Sequence, residues 1–413
     1  MRGVAALTVV FSHALIGFDF AFYDGVATPG HNPGNAELAG WPFLLPLTGN
    51  YAVGVFFVLS GFVLAASFSR TRLSAVALTV KRTLRLGIPI LAVSLFAWAI
   101  VASGLAFNAE AQPITQSWWL GKQTPPAADF ITALRDGVYG ALIGLPNATD
   151  YDSSLWTMSI EFMGSLLLIV VFFAMRPFRG HRNANGWLIV AFLAIGVLGH
   201  FLYLCLFAFG AALRLANLRD RLKGLRGLNW TMAALLIAGV FLGTIPYAQT
   251  RGPWLDWLVA HALVHEQSGW QAQDGPFRGI PDATFWHAAG ALLTIIAVDN
   301  WPPLRTLLNR PTAQFLGKIS FPLYLLHVPV LLSVGCGAFL VLIGAGVNPA
   351  LGWTLAMVLF AGVACLLSWL ATPLIEQPAV DWSADAARYC DRLGERLWTR
   401  ISGRPFPRTV RKS

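Results

Sequence analysis

The chain has 413 residues, of which 56% are hydrophobic and 12% charged, and its net charge is +9. A soluble domain carries about twice that charged fraction, and a mean hydropathy of +0.61 leaves too little polar surface for a water-exposed globule of this size. The apolar residues come in long runs, several close to the ~20 residues that a helix needs to cross a bilayer core.

Ten apolar spans can be drawn in chain order: 3–20, 43–68, 86–108, 156–175, 187–199, 201–213, 229–248, 284–300, 315–345 and 350–374. The expected fold is therefore an all-α, polytopic transmembrane bundle of about ten spans. With the N-terminus inside, every Lys and Arg except Lys122, Arg135, Arg251 and Arg278 falls on the cytoplasmic side. That asymmetry is the positive-inside rule, and a nine-span chain would break it. The rule places both termini in the cytoplasm. The basic balance thus reports topology and contact with anionic lipid, and nucleic-acid binding is not needed to explain it. The first run lacks a small-residue cleavage pattern and contains a histidine, so it reads as a span rather than a signal peptide.

Three segments on the outer side are long, about 21–42, 109–155 and 249–283, and Trp118 and Trp119 read there as interfacial anchors. Within the second, 129–145 has the pattern of a helix lying on or dipping into the membrane. From Val380 onward Trp382, Ala386, Tyr389, Leu393 and Leu397 recur at helical spacing between arginines, as in an interfacial amphipathic helix. The chain divides into a membrane domain, 1–379, and a basic tail, 380–413. The cysteines (Cys205, Cys336, Cys365, Cys390) form no pattern with metal-ligand spacing, and they read as packing residues.

Ionisable groups inside spans are costly and mark candidate sites. His13 lies ten residues past Gly3, about 15 Å from the inner end of its span, and His327 lies about 18 Å into its own. The two imidazoles therefore share a depth. Glu161 needs a partner or a proton, and it would orient an imidazole, bind a hydroxyl or clamp two helices. Arg82 and Arg85 share a helix face three residues apart, and with Arg2 they suit phosphate groups, which guanidinium binds bidentately. Topology anchoring explains those arginines equally well. Tyr324 and His327 share a face, with Ser320 one turn back. Gly54 to Gly61 reads as helix packing. No GxSxG, Walker loop or GxGxxG after a strand occurs.

Together these motifs resemble the membrane-bound acyltransferase 3 family, whose members O-acylate bacterial surface sugars and related glycans. Arg2 and His13 look like its arginine–ten residues–histidine signature, and Gly54-Val-Phe-Phe-Val-Leu-Ser-Gly61 is similar to its second-span pattern. Arg82-Thr-Leu-Arg85 resembles its arginine pair, and Trp156-Thr-Met-Ser159-Ile-Glu161 its tryptophan–serine–glutamate motif. Leu316-Gly-Lys-Ile-Ser320-Phe-Pro-Leu-Tyr324-Leu-Leu-His327 and Ile375-Glu376-Gln-Pro378 complete the set in order. Phe321 stands where tyrosine is usual and Thr157 where serine is usual. One residue precedes Arg2 where relatives carry several, so the start is expected upstream of Met1.

The resemblance implies transfer of an acyl group, usually acetyl, from cytoplasmic acyl-CoA to a hydroxyl of an extracytoplasmic carbohydrate or glycolipid, in the bacterial inner membrane. It implies no bound cofactor and no metal, with acyl-CoA as co-substrate and membrane lipids as surroundings. Arg2, Arg82 and Arg85 would hold the donor phosphates. His13 would act as general base or transient acyl carrier, and Glu161, Tyr324 and His327 would orient it or relay protons. Trp156, Ser159, Ser320 and Glu376 would support them. A transporter of a glycan or its lipid-linked precursor, which also uses midplane charges, is the alternative; a test for transfer from labelled acetyl-CoA separates the two.

Overall fold

The computed structural model describes residues 1–25, 33–45, 48–123, 127–144, 151–174, 202–222, 224, 227–246, 251–262 and 283–402. Among them all regular structure is helical. Five helices are long and apolar enough to cross a membrane: Gly49–Arg70, Ala75–Ala102, Ser153–Ala174, Pro311–Gly344 and Pro349–Ser402. Arg2–Phe18, Leu202–Ala216 and Leu228–Gly243 are shorter apolar helices, and Thr284–Asn300 is another helix of 17 residues. The expected span at 187–199 lies outside the described residues. We label the helices α1 (Arg2–Phe18), α2 (Gly49–Arg70), α3 (Ala75–Ala102), α4 (Trp156–Ala174), α5 (Leu202–Ala216), α6 (Leu228–Gly243), α7 (Thr284–Asn300), α8 (Pro311–Val330), α9 (Pro349–Ala371) and α10 (Gln377–Ser402).

α1 is wedged between α2 and α8, and α2 in turn packs on α4, α5 and α7. Lipid supplies no hydrophobic drive between helices, so close backbone approach has to hold them. The small residues meet that need. A Cβ on Gly61 would strike the Phe207 carbonyl, and one on Gly210 would strike the Val58 carbonyl, so α2 and α5 touch backbone to backbone. The 54–61 segment is thus a packing surface, as its composition predicts. Gly3 does the same for α1 and α8, lying against Leu316 and Gly317. Cys205 and Cys336 are buried and all four cysteines are free thiols.

Two features depart from the sequence reading, the start of α3 and the unbroken run from α9 into the tail helix, while the helix expected within 129–145 is present. α3 starts at Ala75 rather than near 86, because Ser74 caps it by accepting from the Ala77 N–H. Arg82 and Arg85 therefore lie two to three turns inside a helix, not at its mouth. The second long segment forms a helix over Phe130–Arg135, a π turn over Asp136–Gly140 and a last helical turn over Ala141–Ile143. The tail helix α10 continues from α9 through a π-helical segment at Thr372–Glu376 that contains Pro373. α10 packs on α3 through the small residues Ala379, Ser383 and Ala387, and Asp391 accepts the Ser74 N–H. Its large apolar residues Trp382, Tyr389, Leu393 and Leu397 stay exposed.

Candidate functional site

The register that Gly3 sets between α1 and α8 decides the centre of the molecule. His13 lies ten residues beyond Gly3, and His327 lies eleven beyond Leu316. At 1.5 Å per residue both rise by about 15 Å. They meet: His327 Nε2 is 3.1 Å from His13 Nδ1, and the ring centroids are 4.8 Å apart. His13 Nδ1 also lies 3.1 Å from the Val9 carbonyl, and His327 Nδ1 lies 2.6 Å from the Tyr324 carbonyl. A carbonyl only accepts, so each Nδ1 carries the proton. His13 Nδ1–H is then shared between the Val9 oxygen and His327 Nε2. Both Nε2 atoms are then unprotonated, and because that of His327 accepts from His13, only the lone pair of His13 Nε2 is left free.

Toward the Arg2 end lies a cavity of about 120 Å³. Arg2, Arg82, Arg85, Glu161 and Glu376 line it together with Ser320, Tyr324 and Thr157. Five of these are charged groups in a bundle, and their pairing is incomplete. Arg82 Nη2 donates to Glu161 Oε1 at 2.5 Å, with side chains only 10% and 13% exposed. Arg82 Nε and Glu376 Oε2 are buried without a hydrogen-bond partner. Such orphaned groups are expensive to bury, and three guanidinium groups face two carboxylates. The charged lining is thus net cationic, with Arg82 Nε as an unused donor.

Tyr324 separates the cavity from the histidines. Its hydroxyl donates to the Ser154 carbonyl at 3.3 Å and accepts from the Thr157 hydroxyl at 2.9 Å. Its ring sits 5.6 Å from that of His327. Beyond the histidines the segment 107–123 closes the bundle. Phe107 N–H donates to the Leu332 carbonyl, the Ser117 hydroxyl donates to the Ile16 carbonyl at 2.6 Å, and Asn108 Nδ2 donates to the Leu120 carbonyl. These bonds press Trp119 onto His13, ring centroids 5.2 Å apart. Trp119 is 2% exposed, so it is a buried plug rather than the interfacial anchor its sequence position suggests. Trp118, partly buried, carries Lys122 over its ring.

The sequence-derived residues therefore divide into two groups. Arg2, Arg82, Arg85, Glu161, Ser320, Tyr324 and Glu376 line the cavity, and His13 with His327 lies just behind Tyr324. Glu161 does not orient an imidazole; it clamps α4 to α3 through Arg82. Trp156 and Ser159 are not part of the lining. The Trp156 ring packs on Tyr203, and the Ser159 hydroxyl donates to its own helix at the Trp156 carbonyl. Sequence reasoning missed Trp119, Thr157 as a Tyr324 partner, and the loop at Asp152 that carries Ser154. Burial pushes the Asp152 carboxyl up to about 7, against hydrogen bonds from the Ser154 N–H and hydroxyl. No feature of the sequence marks that loop.

A family model described as an acyltransferase domain matches residues 1–372. The chain belongs to the acyltransferase 3 family. It is 22% identical over 82% of its length to Acyltransferase R4 of a Phoma species, covering 83% of that protein. It is 27% identical over 81% of its length to the O-acetyltransferase PaAT-1 of Phomopsis amygdali, covering 72% of that protein. No solved structure matches. This acyltransferase 3 chain is thus an O-acyltransferase enzyme and a multi-pass membrane protein, which decides against the transporter alternative.

Proposed function

We propose that this enzyme moves an acyl group, in the first place acetyl, from cytoplasmic acyl-CoA to a hydroxyl of a carbohydrate or glycolipid acceptor on the far side of the membrane. The single observation that carries the reading is the 3.1 Å contact of His327 Nε2 with His13 Nδ1. It holds a free imidazole nitrogen between a cationic cavity and the opposite end of the bundle.

In this reading Arg2, Arg82 and Arg85 bind the CoA phosphates, with the unpaired Arg82 Nε as one free donor. The thioester lies toward Tyr324, and Ser320, Trp156, Ser159 and Glu376 support the walls and helices around it. His13 Nε2 takes the proton of the acceptor hydroxyl as general base. The hydroxyl oxygen attacks the thioester carbonyl, the carbon–sulfur bond breaks, and the leaving thiolate takes the proton from the His13 imidazolium, which returns to the neutral imidazole. His327, accepting from His13 Nδ1–H, stabilises the imidazolium while it lasts, much as an orienting acceptor does in other base-assisted acyl transfers. The Arg82–Glu161 pair fixes the cavity floor. No bound cofactor or metal enters these steps.

The basic side of the chain supports a cytoplasmic Arg2 end, and with it ten spans and two cytoplasmic termini. Residues 1–379 then form the catalytic membrane domain. The basic residues and exposed apolar stripe of α10 rest on the inner leaflet, with anionic lipid as partner. The bacterial inner membrane is the setting that the sequence motifs support; the two relatives named above are fungal.

Membranes carrying the protein, supplied with labelled acetyl-CoA on the cytoplasmic side, test the reading. Label should appear in an extracytoplasmic glycan fraction, and His13→Ala should remove it while the protein remains in the membrane. Retained transfer in that variant would sink the role of His13.

A further inference from the structure

We propose that Lys81 and Arg388 form a further anion subsite outside the cavity, in the seam between α3 and α10, and that it takes the ribose 3′-phosphate of the CoA donor. This deepens the function proposed above and rests on its assignment of acyl-CoA as donor. CoA carries a diphosphate and, on its ribose, a separate phosphate monoester. At about 120 Å³ the cavity is smaller than the roughly 150 Å³ apolar cavity that takes up one benzene. It cannot enclose such a molecule, so the nucleotide has to lie beyond the lining residues.

The packing of α10 on α3 shows what it would meet there. Glu376, the residue before α10, and Arg85 of α3 both line the cavity. Farther along the seam, Asp391 of α10 accepts the Ser74 N–H at the start of α3. The helices are therefore antiparallel neighbours, with Ala379, Ser383 and Ala387 buried between them. Lys81 and Arg388 lie between those two points. Lys81 is one turn from Arg85 on α3, and Arg388 is one turn from Asp391 on α10. The charges of Arg85 and Arg388 both bear on Lys81, so the seam gathers cations from both helices.

These cations lack acids. Among the described residues no carboxylate lies within ion-pair distance of Lys81 or Arg85. Lys81 is nevertheless half-buried, and an ammonium group without a partner is costly to bury. Arg388 pairs with Asp385 on its own helix, where both side chains are exposed. Such a surface pair is weak, so a stronger anion draws the guanidinium away. Ammonium and guanidinium together hold phosphate by charge-assisted hydrogen bonds. A lipid phosphate is the other anion of this chemistry. It is a diester with one charge, whereas a monoester carries close to two, which favours the nucleotide where unpaired cations cluster.

The test titrates full-length protein in phosphatidylcholine nanodiscs with CoA and with 3′-dephospho-CoA at low salt. CoA should bind about tenfold tighter or more. Lys81→Gln and Arg388→Gln should each weaken CoA alone and bring the two affinities within about twofold, and Lys81→Arg should keep most of the preference. Arg388 is exposed, so its variant tests the subsite even where Lys81→Gln fails to fold. Equal wild-type affinity for the two ligands would overturn the proposal and leave the donor assignment standing. So would a preference untouched by either glutamine variant. Loss of the preference when phosphatidylglycerol is added to the nanodiscs would assign the seam to a lipid phosphate and overturn it as well. Binding of neither ligand would remove the donor assignment and the proposal with it.

Discussion

The two halves of the site are built on opposite principles. At the Arg2 end, charged groups surround open space, and Arg82 Nε and Glu376 Oε2 have no hydrogen-bond partner. At the histidine end, both Nδ1 atoms and His327 Nε2 are engaged, Tyr324 stands on one side, and Trp119 presses on the other. The first half has hydrogen-bonding capacity that its own side chains leave unmet. The second has spent its capacity on fixing one orientation and one tautomer. On the proposed reading, binding is left to the region that is incomplete, and chemistry to the region that is preorganised.

The comparison breaks most sharply at His13. His13→Ala should lower acyl transfer by about 10²–10⁴-fold with little change in protein yield, measured as label transferred from acetyl-CoA. If the histidine end only fills space, the variant will instead unfold and leave no membrane-inserted protein to assay. Next comes the cavity floor. Glu161→Leu leaves the Arg82 guanidinium uncompensated, and breaking a buried pair costs about 3–5 kcal/mol. Its thermal unfolding temperature in detergent should fall well below wild type. The double variant Arg82→Met/Glu161→Leu should regain the temperature but not donor affinity. Recovery of both would show that the pair has no part in binding.

Asp152 probes the loop that joins the halves. Its folded carboxyl is raised to about 7 by burial, above the unfolded value of about 3.9. A raised acid stabilises the fold fully below the unfolded value, and that contribution fades as pH rises toward 7. The loss is of the order of 4 kcal/mol. Unfolding temperature should thus drop between about pH 4 and pH 7 and level off above, and Asp152→Asn should flatten that slope. An unchanged slope in the variant would assign it to other groups. The smallest effect is expected at Thr157→Val, which removes one hydrogen bond to the Tyr324 hydroxyl and keeps the shape. Worth about 1 kcal/mol, that bond should cost about fivefold in kcat and leave KM for the donor nearly unchanged.

Much of this was legible in the sequence because depth along a helix is arithmetic. The rise per residue puts His13 and His327 at one level, and the packing glycines Gly3, Gly61 and Gly210 bring their helices together as small residues in lipid do. Which helices become neighbours is a tertiary fact that periodicity does not carry. Glu161 accordingly looked free to orient an imidazole until its partner proved to be Arg82. Trp119 misled for a related reason. A tryptophan pair in a loop beside a span has the composition of an interfacial belt, and only the hydrogen bonds of Ser117 and Asn108 fold that loop back onto His13. The early start of α3 depended on a single capping serine, Ser74. The Ser154 carbonyl that holds Tyr324 is main chain, and no residue type announces it.

The sealed contact between His13 and His327 has an electrical consequence. On the proposed reading the acceptor hydroxyl gives up its proton on one side of the membrane, and the thiol gains one on the other. The acyl group, which leaves its bonding electrons on the thiolate, travels the other way as the equivalent of an acyl cation, so the exchange of acyl for proton is electroneutral. A charge crossing the full field would be worth about 2.3 kcal/mol per 100 mV. Because none crosses, collapsing the potential with an ionophore should leave the rate of acylation unchanged.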